Sequence, residues 1–114
     1  MDLTSTLDAI RAFCEERDWR QFHNPKDLTG ALSIEVAELM EIFLWKDSNE
    51  LPQVLETRRS EIEAEIADIA VYLFHLVEVM QIDLPAAILH KLEQNREKYP
   101  VEKSRGNAIK YTDL

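Results

Sequence analysis

The sequence is poor in the residues that punctuate or cross-link a chain. Its 114 residues include two glycines, four prolines and one cysteine. The sole cysteine, Cys14, excludes an internal disulfide and fits a reducing compartment, so a cytoplasmic location is expected. With so little Gly and Pro, and with 46% hydrophobic and 31% charged residues, the composition is that of a helical globular protein, not a disordered one. Its length suits one small domain, residues 1–114, able to hold a core. The start, MDLTSTL, lacks the basic segment and apolar core of a signal peptide. Long apolar runs are missing too. The most apolar stretch, Ile66–Ile82, is interrupted by Asp68, His75 and Glu78, so no membrane span is expected. Basic residues are few, and the net charge of −9 argues against nucleic-acid binding through a broad basic surface. The charge is uneven: residues 1–90 hold 18 acids and 7 bases, whereas residues 91–110 hold 6 bases and 3 acids.

What is present is organised around Leu32–Lys46, LSIEVAELMEIFLWK. As a helix it places Leu32, Val36, Leu39, Met40 and Phe43 on one face, and Glu35, Glu38, Ile42 and Trp45 along the edge of that face. Carboxylates at i and i+3 stand one turn apart on the same side. Thirty residues on, Glu65-Ile66-Ala67-Asp68-Ile69-Ala70 repeats the layout. There the edge is Glu61, Glu65, Asp68 and Tyr72, beside an apolar face of Ile62, Ile66, Ile69, Leu73, Val77 and Met80. One Glu-x-x-Glu on a helix is most often a solvated face. Two such pairs in register, each bordering an apolar stripe, can pack with their acidic edges together. Two carboxylates about 5 Å apart repel by roughly 3 kcal/mol at an effective dielectric near 20. Four in a partly buried pocket therefore require cations, and oxygen-only ligands suit Mg²⁺ or Mn²⁺.

The rest of the chain supplies the frame. A first helix is expected from Thr4, with Thr4 or Ser5 as cap, to about Glu16, with Leu7, Ile10, Phe13 and Cys14 as its apolar stripe. Arg17–Lys26, RDWRQFHNPK, is irregular and rich in aromatics. Trp19 and Phe22 offer a stacking surface for a base, and His23 a hydrogen bond to a ligand or to nearby backbone. Asn24-Pro25 starts a second helix that is expected to run to Trp45, with Gly30 inside it for the close approach of a neighbouring helix. Trp45 would cover a core edge or stack on a ligand. After the polar link Lys46–Pro52, a helical turn or two from Gln53 leads into a main helix from Arg58 to Met80. Its second half is apolar nearly all round, which implies a partner chain. His75 and His90 read as packing or surface residues, since neither lies at i+3 from a glutamate. Asp83-Leu84-Pro85 starts a fourth helix that stops near Lys98, before Pro100. On it Lys91, Asn95 and Lys98 share a stripe with Arg96 nearby, able to hold a polyphosphate if it faces the acidic pocket. The tail has no strong periodicity.

The pattern Glu35-x-x-Glu38, a 26-residue spacer, then Glu65-x-x-Asp68, resembles that of the MazG-like nucleotide pyrophosphohydrolases, in their dCTP pyrophosphatase branch. The resemblance extends over ERDWRQFHNPKDL, WKDSNE, DLPAAI, NREKYPVEKSRG and the terminal KYTDL, nearly the whole chain. It implies an all-α fold, a four-helix bundle completed by oligomerisation as a homotetramer built from two dimers. It implies Mg²⁺-dependent cleavage of a nucleoside triphosphate to the monophosphate and pyrophosphate. By position, Glu35, Glu38, Glu65 and Asp68 are the implied metal ligands. Trp19, Phe22, His23, Trp45 and Tyr72 form the implied nucleoside site, and Lys91, Asn95, Arg96 and Lys98 the implied phosphate contacts. One position departs from the pattern: vertebrate members have a substrate-contacting His where this chain has Ile10.

The chemistry agrees with the residues. Phosphoryl transfer needs positioning and charge neutralisation more than covalent help. Cations held by four carboxylates would polarise phosphate oxygens and activate water for attack at the α-phosphorus, with Glu38 as the expected proton acceptor. The competing reading is a non-catalytic helical module that binds nucleotides or partner helices.

Overall fold

The computed structural model describes residues 3–114, which form helices and turns with no strand. The chain makes two compact units, one running to Gln81 and one spanning Ile82–Leu114. The first contains α1 (Leu3–Glu16), a 3-10 turn (Arg20–Phe22), α2 (Pro25–Phe43), α3 (Leu51–Thr57) and α4 (Arg59–Met80). The second contains α5 (Leu84–Lys98), α6 (Val101–Ser104) and a 3-10 turn at Tyr111–Asp113.

The helix starts follow the capping signals. Asn24 Oδ1 accepts the Asp27 N–H at 2.9 Å with Pro25 in the first turn of α2. Asp83 Oδ1 accepts the Ala86 N–H at 3.1 Å at the start of α5. Thr4 and Ser5 are not caps, because α1 already includes Leu3; the residue before it lies outside the described residues. One helix end differs from expectation. α2 stops at Phe43, not Trp45, because the chain turns out at Leu44 and Trp45 takes a left-handed φ of 64°. The turn or two expected from Gln53 is α3, and the main helix expected from Arg58 to Met80 is α4, the two separated by a break at Arg58 (φ −115°, ψ 24°).

The dominant contact is α2 against α4, with α3 closing one end. There Ile42, Val54 and Ile62 are buried together, flanked by Leu39 and Phe43. Ile42, expected on the carboxylate edge, is thus a core residue, while Val36 and Met40, expected to be inside, are exposed. On α4 only Ile62 of the expected apolar face is buried; Ile66, Leu73 and Met80 are exposed. Gly30 also departs from its expected role, since a Cβ there would meet nothing within 4 Å.

α1 is tied to α4 through charge. Arg11 Nη2 donates to Glu78 Oε1 at 2.6 Å, and Arg20 Nη2 lies 3.7 Å from Glu78 Oε2. In the second unit the tail returns to α5. Tyr111 meets Tyr99 edge to face at 5.8 Å, and Lys98 Nζ stands 4.9 Å from the Tyr111 ring centre.

Candidate active site

The α2–α4 packing joins the two acidic edges. One carboxylate oxygen from each of Glu35, Glu38 and Glu65 lies within 4.8 Å of the other two. Asp68 stands outside this trio, but its charge acts on both Glu35 and Glu65. Glu35 Oε2 and Glu65 Oε2 are buried and receive no hydrogen bond from any N–H or hydroxyl donor. Burial pushes the Glu35 carboxyl up to about 7, helped by hydrogen bonding with Glu65 and Glu38 and by the charges of Glu38 and Asp68. Burial likewise raises Glu65, with the charges of Glu38 and Asp68 adding to it and its hydrogen bond to Glu35 opposing it. Buried acceptors without donors, among groups that repel one another, are a donor set for a hard divalent cation.

Two grooves meet at this cluster. One, of about 510 Å³, is lined by Glu35 and Asp68 together with Trp19, His23, Tyr72, His75, Phe13 and Ile10, among others. Trp19, His23 and Tyr72 also border a smaller recess with the exposed Phe22. Trp19 is held by an edge contact with Phe13 at 5.8 Å, and the Arg17 guanidinium stacks on Phe13 at 3.6 Å. The other groove, of about 460 Å³, is lined by Glu38, Glu41, Ile42, Arg58, Glu61 and Glu65. The carboxylates therefore separate an aromatic groove from a polar, mostly acidic one.

Glu35, Glu38, Glu65, Asp68, Trp19, Phe22, His23 and Tyr72 thus belong to one neighbourhood of the first unit. Trp45 lies outside both grooves and is 90% exposed. Lys91, Asn95, Arg96 and Lys98 lie on α5 of the second unit. There Arg96 pairs with Glu93, and Lys98 sits over Tyr111.

Three residues of the site were not picked out from the sequence. Arg58, at the helix break, donates from Nε to Glu61 Oε2 at 2.7 Å and brings a cation to the acidic groove; its i, i+3 spacing to Glu61 was the available signal. His75, read from the sequence as packing or surface, is half-buried on the wall of the aromatic groove and stacks on His23 with ring centres 4.4 Å apart. Cys14 approaches the same pair, its Sγ 3.8 Å from His23 Nδ1. Burial lowers both imidazoles; the charge of Arg20 adds to this for both, and that of His23 for His75. Nothing local in the sequence links these three positions.

An all-helical unit that presents Glu-x-x-Glu from one helix to Glu-x-x-Asp on another defines a class of proteins whose carboxylate cluster fits a divalent cation. The chain belongs to the MazG-like family, whose profile matches residues 31–114. It is 48% identical to dCTP pyrophosphatase 1 of Bos taurus over 96% of this chain and 68% of that protein. Against dCTP pyrophosphatase 1 of Homo sapiens the identity is 43% over the same shares. The crystal structure of a pyrophosphatase from Archaeoglobus fulgidus superposes with a TM-score of 0.81 at 45% identity, covering 86% of this chain and 92% of that one.

Proposed function

We propose that this protein hydrolyses deoxynucleoside triphosphates, dCTP and related dNTPs among them, to the monophosphate and pyrophosphate, and so clears the nucleotide pool. The observation that carries this reading is the convergence of Glu35, Glu38 and Glu65 beside a groove walled by Trp19 and Tyr72. The relatives named dCTP pyrophosphatase 1 support the substrate class.

Glu35, Glu38, Glu65 and Asp68 would hold Mg²⁺ or Mn²⁺. Such an ion supplies charge neutralisation at the phosphates and a lowered pKa for water. The aromatic groove takes the nucleoside, with the base against Trp19 and bordered by Phe22, His23 and Tyr72. Ile10 offers that base no hydrogen bond, so selectivity rests on the other groove residues. Glu35 lines the groove and belongs to the carboxylate trio, which supports a substrate pose with the phosphate nearest the nucleoside at the carboxylates. Glu38 accepts the proton of the water that attacks the α-phosphorus. Lys91, Asn95, Arg96 and Lys98 are the proposed phosphate contacts, with charge suited to a leaving pyrophosphate. Trp45, exposed and with a left-handed backbone, would complete the base site of a neighbouring copy in a homotetramer. The whole chain acts as one domain, and the reduced state of Cys14 fits the cytoplasm.

Hydrolysis in ¹⁸O-labelled water tests the reaction. Label in the monophosphate is expected. Label in the pyrophosphate would move attack to the β-phosphorus, and release of orthophosphate would overturn the reaction class. Glu38→Gln, nearly isosteric, should abolish turnover while the helical circular dichroism is kept.

A further inference from the structure

Cys14, His23 and His75 come from three separate segments: α1, the end of the 3-10 turn, and the second half of α4. One donor atom of each lies within 4.8 Å of the other two. Cys14 is buried and both histidines are half-buried. All three line a cavity of about 220 Å³ in company with Arg11, Arg20 and Glu78. Sulfur and two imidazoles are the donor types that bind Zn²⁺ and disfavour Mg²⁺.

The geometry points to a second metal site in this protein, for a Zn²⁺-class cation held by Cys14 Sγ and one ring nitrogen each of His23 and His75. The site is chemically separate from the oxygen-only cluster of Glu35, Glu38 and Glu65, and it does not depend on the hydrolase reading. Zinc bonds of about 2.3 Å to sulfur and about 2.0 Å to nitrogen leave S and N about 3.5 Å apart in a tetrahedron. The Cys14 Sγ to His23 Nδ1 distance of 3.8 Å is close to that, so small side-chain rotations suffice. Binding converts the Cys14 thiol to thiolate and releases its proton to solvent. The cavity leaves room for a solvent molecule as fourth ligand. The nearby guanidiniums do not oppose the ion unscreened, because Arg11 and Arg20 both face the Glu78 carboxylate. Ligation would pin the Trp19–His23 segment to α1 and α4, and so stiffen the wall of the aromatic groove that His23 and His75 share.

Cobalt makes the site visible. The full-length protein, with its thiol reduced and Mg²⁺ in excess to occupy the carboxylates, is titrated with Co²⁺ and then with Zn²⁺. Because Cys14 is the only cysteine, any thiolate-to-cobalt charge-transfer band in the wild type reports on this residue. One Co²⁺ per chain with that band and tetrahedral ligand-field absorption is expected, with displacement by stoichiometric Zn²⁺ and a higher melting temperature on Zn²⁺ addition. His75→Gln should lose stoichiometric binding and the Zn²⁺-dependent melting shift. No charge-transfer band in the wild type at saturating Co²⁺ overturns the site. So does a His75→Gln titration indistinguishable from the wild type.

Discussion

Glu35 registers the charge of the whole site in one carboxyl group. Its pKa stands at about 7 in the folded chain against an ordinary value of 4.5. Between those values the folded state binds more protons than the unfolded state, so the Glu35 contribution to stability falls as pH rises through the window. Below 4.5 a protonated Glu35 is little different from glutamine; above 7 its charge strains the site. In chelator, Glu35→Gln is therefore expected to melt close to the wild type below the window and above it at higher pH, while losing divalent-cation binding. A variant less stable than the wild type above the window would contradict this account. The sequence showed these carboxylates readily, because i, i+3 spacing beside an apolar stripe is local information. It did not show that Asp68 stands apart from the trio, which depends on how α2 and α4 pack, nor that Cys14, His23 and His75 meet, which depends on how α1 and the 3-10 turn pack on α4.

At the scale of elements, explicit capping chemistry was legible and its absence was not. Asn24-Pro25 and Asp83-Leu84-Pro85 mark helix starts because a side-chain acceptor and a fixed φ act within one turn. The end of α2 carries neither Gly nor Pro, so the left-handed turn at Trp45 has no sequence signature. The start of the main helix near Arg58 was legible, but the packing that the break there permits was not. Two turns of straight helix would hold Val54 and Ile62 about 12 Å apart along the axis, whereas the break lets both pack on Ile42. Gly30 is the converse case, a residue that implied a close neighbour where the chain has none. Inside a helix a glycine costs up to about 1 kcal/mol relative to alanine. With open space at its Cβ position, Gly30→Ala is expected to stabilise the protein by about 0.5–1 kcal/mol in denaturant titrations. Lower stability or weakened assembly would instead place another copy of the chain at this position.

For the molecule as a whole, the decisive quantity is the apolar surface left uncovered. α2 exposes Ile34, Val36 and Met40, and α4 exposes Ile66, Leu73, Val79 and Met80, while among the described residues the buried apolar core is confined to Cys14, Leu28, Ile42, Val54 and Ile62. Among the described residues no single helix is long and apolar enough to cross a membrane, so this apolar surface is not accounted for by one spanning helix. Exposed large apolar side chains in this number suit an interaction surface. Fully burying each Ile, Leu or Met side chain is worth about 1.5–3 kcal/mol, so these residues together can drive stable association between copies. Light scattering at micromolar concentration is expected to give a mass several times the 13.3 kDa of one chain, most simply that of a tetramer. Leu73→Glu places a charge on the exposed α4 face without touching the carboxylates or the Ile42 core. It should dissociate the assembly and lower the melting temperature in step. If the bases of one copy are stacked by Trp45 of another, this variant should also raise KM for dNTPs even where it remains folded. A wild-type protein that stays a well-folded monomer with full turnover would show that α4 tolerates water on this face and that each chain holds a complete site.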